Sequence, residues 1–244
     1  MKRWGPAGWY PGAPCAGCQG LADIQLVYSN HFPSVWEYAE AIRANAVDVS
    51  AYVGAVCPIC GTSCGYRQIT AYRRGVIELF PVYRKGEVLV ARSQCRKTLR
   101  TFSLLPHPLA PYHRYTVDSM VITLVVAWGL SHGQGKPRLE KTLDELPADC
   151  DVTLWLLYCW VQTVGQGLRG AHPVLAGWHD LSAVRSGTRL ADTLSEVALY
   201  LGALGVRGPP RIEGIEEVLL RYGSRTGRFL IGTASQDRRP RLAA

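Results

Sequence analysis

The sequence predicts an α+β fold: a small β-hairpin module carrying paired cysteines, followed by a mostly α-helical region with a helix-turn-helix-like pair. Three observations predict it. Residues 66–92 are rich in β-branched and aromatic residues and are flanked by cysteines. Beyond Pro111 the apolar residues recur at helical spacing. The chain has 244 residues, 48% hydrophobic and 19% charged, a globular composition with room for one or two domains. We divide it into an irregular segment and helix over 1–51, the hairpin module over 52–115, a helical region over 116–222 and a basic tail over 223–244.

Residues 1–20 are rich in Gly, Pro and Trp and read as irregular. A helix is predicted over 34–47. Ser34 and Glu37 have capping-box spacing, and Val35, Tyr38, Ala39, Ile42 and Ala46 share one face. Residues 52–56 and 66–92 carry β character. Two strands, Val76–Tyr83 and Glu87–Arg92, are predicted to meet in a hairpin turning at Arg84-Lys85-Gly86. Thr116 or Asp118 is placed to cap a helix running to about Gly129. Pro137 opens another that ends near Leu146. Asp149 or Asp151 is placed to cap a third, Val152–Val164. Residues 165–189 hold five glycines and a His-Pro and read as loop. Leu190, Leu194, Val197, Ala198 and Leu201 form a stripe of the next helix. A last helix, Ile212–Tyr222, precedes the tail, whose basic cluster comprises Arg221, Arg225, Arg228, Arg238, Arg239 and Arg241.

Net charge is +8, and its distribution is uneven. Residues 66–114 contain ten Lys and Arg but only Glu78 and Glu87 as acids, so this stretch carries the whole excess. Such a concentration of cations points to a polyanionic partner. The candidate phosphate-binding residues are Arg67, Arg73, Arg74, Arg84, Lys85, Arg92, Arg96, Lys97 and Arg100. Tyr66, Tyr72 and Tyr83 lie among them, to stack on bases or to pack. The apolar runs 120–130 and 152–164 are shorter than the roughly 18–20 residues that span a bilayer. With no apolar leader after Lys2 and Arg3, a cytoplasmic location and no membrane are expected. Thiols stay reduced there, so eight cysteines point to metal before disulfides.

Cys57-Pro-Ile-Cys60-Gly61 has the spacing that directs two thiolates at one zinc ion. Cys95 begins a matching turn, but Thr98 stands where its second sulfur belongs, and a hydroxyl is a poor zinc ligand. Cys57, Cys60 and Cys95 therefore need a fourth ligand. Cys64, His107 and His113 are candidates, and the pair Cys15 and Cys18 could complete a site with Cys57 and Cys60. In the remaining alternative the metal is lost, and the hairpin with Phe102 and Leu104 holds the module. Cys150 and Cys159 read as small core residues.

These residues resemble the amino-terminal zinc ribbon of bacterial insertion-sequence transposases, and more closely small zinc-ribbon proteins of bacterial mobile elements. The matching positions are Cys57, Pro58, Cys60, Gly61, Cys95, Thr101, Phe102, Ser103, Leu104, Leu105, Pro106, Leu109, Pro111, Tyr112 and Tyr115, and the motif they define spans about a quarter of the chain. The resemblance implies Zn²⁺ as cofactor, DNA as partner and a helix-turn-helix over 137–164. Thr98 departs from it. So does Thr153–Trp160, which lacks the arginines its relatives carry there.

No catalytic constellation is visible, so a non-enzymatic role is expected. The three carboxylates of a two-metal phosphoryl-transfer site are missing from the scattered acids. Gly165-Gln-Gly167-Leu-Arg-Gly170 spells a phosphate-loop motif but follows a helix rather than a strand. A second reading makes the chain a protein-interaction subunit or homo-oligomer. It would use the apolar helices 117–130 and 152–164, with the cysteine module as a staple.

Overall fold

The computed structural model describes residues 25–29, 32, 34–111, 113–131, 137–187, 189–206, 214–226 and 229–231. Residues 1–20, with Cys15 and Cys18, and Arg228, Arg238, Arg239 and Arg241 of the tail lie outside this set. The fold is α+β. In chain order it comprises β1 (Gln25–Ser29), α1 (Val35–Arg43), α2 (Val49–Val53), β2 (Tyr66–Glu78), β3 (Arg84–Cys95) and β4 (Thr101–Pro106). Five helices follow: α3 (Val117–Ser131), α4 (Leu139–Asp144), α5 (Leu154–Leu175), α6 (Leu190–Ala203) and α7 (Ile215–Thr226). The sheet order is β1-β4-β3-β2; β2, β3 and β4 are antiparallel neighbours and β1 runs parallel to β4.

Several local expectations are corrected. Residues 52–56 do not form a strand: Asp48 caps α2 by accepting the Ser50 N–H at 2.8 Å. The hairpin is longer than predicted. β2 has 13 residues and β3 has 12, and Arg84-Lys85-Gly86 lies inside β3 rather than in the turn. The connection is 79–83, where Phe80-Pro81 is a cis peptide. Thr101–Pro106, taken from sequence only as a motif, is strand β4, with its buried run enclosed on both sides. Helix α1 stops at Arg43, short of 47, because Asn45 takes a left-handed conformation (φ 52°) that ends the helical ladder. Ser34 caps it as expected, accepting the Trp36 N–H at 3.1 Å.

Helix α1 enters the sheet where it forks. β3 pairs with β4 only through Arg92, Ser93 and Gln94. Past that point the strands separate, and the fully buried Tyr38 occupies the fork. Its hydroxyl accepts the Ala91 N–H at 2.9 Å and donates to the Leu104 carbonyl at 2.7 Å. One phenol thus satisfies two ladder groups, each of which would cost about 1–3 kcal/mol if left buried and unpaired. Small apolar clusters lie to either side. Val35, Ala39, Val76, Val88, Val90, Leu105 and Leu109 form one; Val47, Val49, Ala91, Phe102 and Leu104 form the other.

The main core is helical. Leu157, Trp160, Val161, Val164 and Leu168 of α5 pack against Leu124 of α3, Leu194, Val197 and Leu201 of α6, and Val218 and Leu219 of α7. The sheet docks on this core through the end of β2. The Ile77 N–H donates to the Arg114 carbonyl at 2.8 Å, and the Ile77 carbonyl accepts the Thr116 N–H at 3.1 Å. Tyr115 sets its ring edge against Trp160, centroids 4.8 Å apart, and donates to the Cys150 carbonyl at 2.7 Å.

The segment read as loop over 165–189 is corrected in its first part: α5 continues through 165–175, to Leu175, and turns follow it. Its glycines are there for close packing. A Cβ on Gly165 would lie 2.7 Å from the Thr193 methyl on α6, and one on Gly167 would run into the Leu230 carbonyl. Pro173 is accommodated in the last turn. Thr116, not Asp118, caps α3, its hydroxyl accepting the Ser119 N–H at 3.3 Å.

Candidate metal centre and the basic face around it

Two turns of the same shape bring the cysteines together. In Cys57–Gly61 the Gly61 N–H donates to the Cys57 carbonyl at 2.9 Å, with Gly61 at φ 67°. In Cys95–Leu99 the Leu99 N–H donates to the Cys95 carbonyl at 3.0 Å, with Leu99 at φ 60°. The second turn therefore keeps the knuckle backbone, although Thr98 replaces its second cysteine. The Thr98 N–H still points at the Cys95 sulfur, 3.3 Å away. Leucine in the left-handed region costs about 1–2 kcal/mol, a strain the first turn avoids with glycine.

Cys64 supplies the sulfur that Thr98 does not. The Sγ atoms of Cys57, Cys60, Cys64 and Cys95 all lie within 4.8 Å of one another. Cys64 and Cys95 are 3.7 Å apart, against about 3.8 Å for the edge of a tetrahedron with zinc–sulfur bonds of about 2.3 Å. Cys60 and Cys64 approach to 3.0 Å. Cys57 and Cys95 are buried; Cys60 and Cys64 are half-buried at the rim. Of the sequence candidates for the fourth ligand, only Cys64 joins the group among the described residues. His107 is buried elsewhere with no partner for either ring nitrogen, and burial holds it at about 4. His113 is likewise apart and is pushed down by burial and by Arg74.

The sulfurs do not titrate alike. Burial pushes the Cys57 thiol up to about 11. Burial acts on Cys95 in the same direction, but hydrogen bonds from the Thr98 hydroxyl and the Thr98 and Lys97 N–H groups outweigh it and hold Cys95 at about 6. The Thr62 hydroxyl, followed by Cys64, lowers Cys60. A set with one stabilised thiolate and a buried thiol is suited to a cation that displaces the remaining protons. Four sulfurs fit Zn²⁺ in a closed, structural site.

The predicted phosphate-binding cations separate into two groups. Those far from the cysteines have partners. Arg74 turns inward, donating to the Ala110 carbonyl at 2.5 Å and to the His113 carbonyl. Lys85 pairs with Asp151 at 2.6 Å, and Arg73 with Glu87 at 3.4 Å. Arg84 lies over the Trp36 ring at 5.7 Å. Arg92 lies over Tyr72 at 5.8 Å and donates to the Thr101 hydroxyl at 3.2 Å.

The others lie beside the cysteines. Arg67 is bound only to Gln94, its neighbour on β3, at 2.7 Å and 3.1 Å. Arg96 and Lys97 are exposed, and no ion pair reaches them among the described residues. Arg100 is half-buried beside them. The tyrosines pack rather than project: Tyr66 donates to the Gly54 carbonyl at 2.9 Å, and Tyr83 to the Asp149 carbonyl at 2.6 Å. Of the tail cluster, Arg221 and Arg225 lie over Trp178, at 4.4 Å and 5.9 Å. Two features escaped the sequence reading. The Arg169–Glu196 pair joins α5 to α6 and has no local signature. Leu99 does have one, since it stands where a second knuckle would carry glycine.

Fold and site together define an α+β protein with four cysteines positioned to bind a metal ion. No family model matches the chain, and neither a curated protein nor a solved structure matches it.

Proposed function

We propose that the chain is a non-catalytic nucleic-acid-binding protein, with DNA as its ligand, of the kind that accompanies bacterial mobile elements. It would hold Zn²⁺ on Cys57, Cys60, Cys64 and Cys95 as a structural staple for a zinc-ribbon-like module. The observation that carries this reading is the exposed basic surface of Arg67, Arg96 and Lys97 beside the cysteine cluster, which no ion pair reaches among the described residues. Four sulfur ligands leave no open coordination position for a substrate, which favours a structural role over catalysis. A cytoplasmic location, where thiols stay reduced, goes with this reading. Among the described residues no helix is long and apolar enough to cross a membrane. In this reading α4 and α5, the helix-turn-helix-like pair, serve packing. Trp160 is buried, and Arg169, the first cation on α5, is committed to Glu196.

Phosphate contacts release counterions, so binding should be steeply salt-dependent. With about five phosphates contacted the log–log slope is about −4.5, and a fourfold rise in salt weakens binding roughly 500-fold. Fluorescence anisotropy of a labelled duplex measures this. Replacing Arg96 and Lys97 together by glutamine should flatten the slope by about two. An absence of binding to DNA or RNA at low salt would refute the reading.

The second reading, a protein-interaction subunit or homo-oligomer, has one observation in its favour. On the first turns of α5, Leu154, Trp155 and Tyr158 are exposed, with Trp155 stacked on Tyr158 at 5.7 Å. An oligomer in sedimentation velocity that Trp155→Ser disperses would support this reading; a wild-type monomer at all concentrations would count against it.

A further inference from the structure

We propose that Leu99 is a wedge that enters an unstacked base step of DNA, so that the module prefers duplexes with a distorted or unpaired base. The proposal rests on the nucleic-acid reading above and adds to it the structural class of the ligand.

Leu99 is 65% exposed, at the tip of the Cys95–Leu99 turn. Its φ of 60° is one that leucine rarely adopts, and the corresponding position of the other turn is Gly61. Neither burial nor backbone preference explains a leucine there, and glycine would serve the turn better. The backbone that presents the side chain is nevertheless held in place. The Leu99 N–H donates to the Cys95 carbonyl at 3.0 Å, and its own carbonyl accepts the Gln94 amide at 2.8 Å. Gln94 is in turn fixed by Arg67 at 2.7 Å. A turn whose backbone is fixed in this way loses little main-chain freedom on binding.

Its surroundings indicate what it meets. Leu99 lines a cleft of about 390 Å³ with Arg67, Gln94 and Arg96. Lys97 is adjacent, and no acid occurs in the sequence between Glu87 and Asp118. An exposed apolar tip beside cations complements a polyanion with an apolar interior, which is what stacked bases between two phosphate backbones are. Apolar side chains that enter a base step must unstack it. That cost is lowest where a base is already unpaired, and the preference follows from this.

The test uses the full chain, a labelled duplex, and the same duplex carrying one unpaired adenine with 2-aminopurine beside it. Wild type should bind the bulged duplex about tenfold more tightly than the perfect one, with a rise in 2-aminopurine fluorescence. Leu99→Gly removes the tip and relieves the backbone. It should melt no lower than wild type, keep the perfect-duplex affinity and salt slope, and lose both the preference and the fluorescence rise. Leu99→Phe should retain them. If wild type binds both duplexes equally, or if Leu99→Gly keeps the preference, the wedge is wrong and the nucleic-acid reading stands. If wild type binds neither duplex, both fail.

Discussion

Cys64→Ser should lower the zinc content from one per chain to well below stoichiometric, measured by elemental analysis after purification without added metal. The four sulfurs lie within 4.8 Å, and Cys64 occupies the corner that Thr98 cannot fill. Losing a direct ligand should weaken the site by more than the roughly 10–100-fold seen when only an outer-shell partner is removed. Thermal stability should fall as well, because metal affinity is coupled to folding; structural zinc sites contribute about 10–16 kcal/mol of apparent binding energy in small domains. Cys159→Ser is the control: Cys159 lies on α5, outside the cluster, and its loss should leave the metal unchanged. Adding zinc to metal-free protein should also release protons, the buried Cys57 thiol among the sources. A Cys64→Ser protein that keeps one full equivalent of zinc would exclude Cys64 as a ligand.

Arg169→Ala should destabilise the helical region by about 3–5 kcal/mol, because it leaves a buried carboxylate without its partner. Glu196 is fully buried and receives Arg169 at 2.9 Å, 2.9 Å and 2.5 Å, with the Ser186 hydroxyl at 2.9 Å. A loss of that size should lower the melting temperature by about 6–20 °C for a chain of this length. The effect should depend on pH with a definite sign. In wild type, burial raises the Glu196 carboxyl, but Arg169 and Ser186 outweigh it and hold the group below its ordinary range. The pair therefore contributes stability above the unfolded carboxylate range, and this is lost as pH falls through the folded value. Without Arg169 the folded value rises, with the Ser186 hydroxyl still opposing burial, so the variant loses less stability than wild type as pH falls. The gap between the two proteins should thus narrow toward acid. Chemical denaturation at neutral and acid pH measures it, and a constant gap, or one below about 1 kcal/mol, would show that Glu196 tolerates ionisation alone.

Much of the architecture was legible because it depends on local chemistry. Ser34 as a cap, the helical stripe of Leu194, Val197 and Leu201, and the β character between the cysteines are read from neighbours a few residues apart. The errors arose where tertiary contact overrides local preference. Gly165 and Gly167 look like helix breakers in sequence, yet α5 runs through them because Thr193 and Leu230 press against its backbone. Tyr38 looks like an ordinary apolar-face residue. Its role as a bridge between β3 and β4 depends on a fork created by residues more than fifty positions away.

The candidate site divides in the same way. From the sequence alone follow the Cys57–Cys60 pair, the missing sulfur at Thr98, the candidacy of Cys64 and the concentration of charge between 66 and 114. These are matters of spacing and composition. Sequence could not choose among Cys64, His107 and His113, because the choice depends on which side chain the hairpin carries to one point. Nor could it separate Arg74, drawn inward by two carbonyls, from Arg96 and Lys97, which no carboxylate pairs among the described residues. Only the tertiary structure decided these, because a ligand set and an electrostatic surface are defined by distances in space, and the separation of 31 positions between Cys64 and Cys95 becomes 3.7 Å only when β2 and β3 pair.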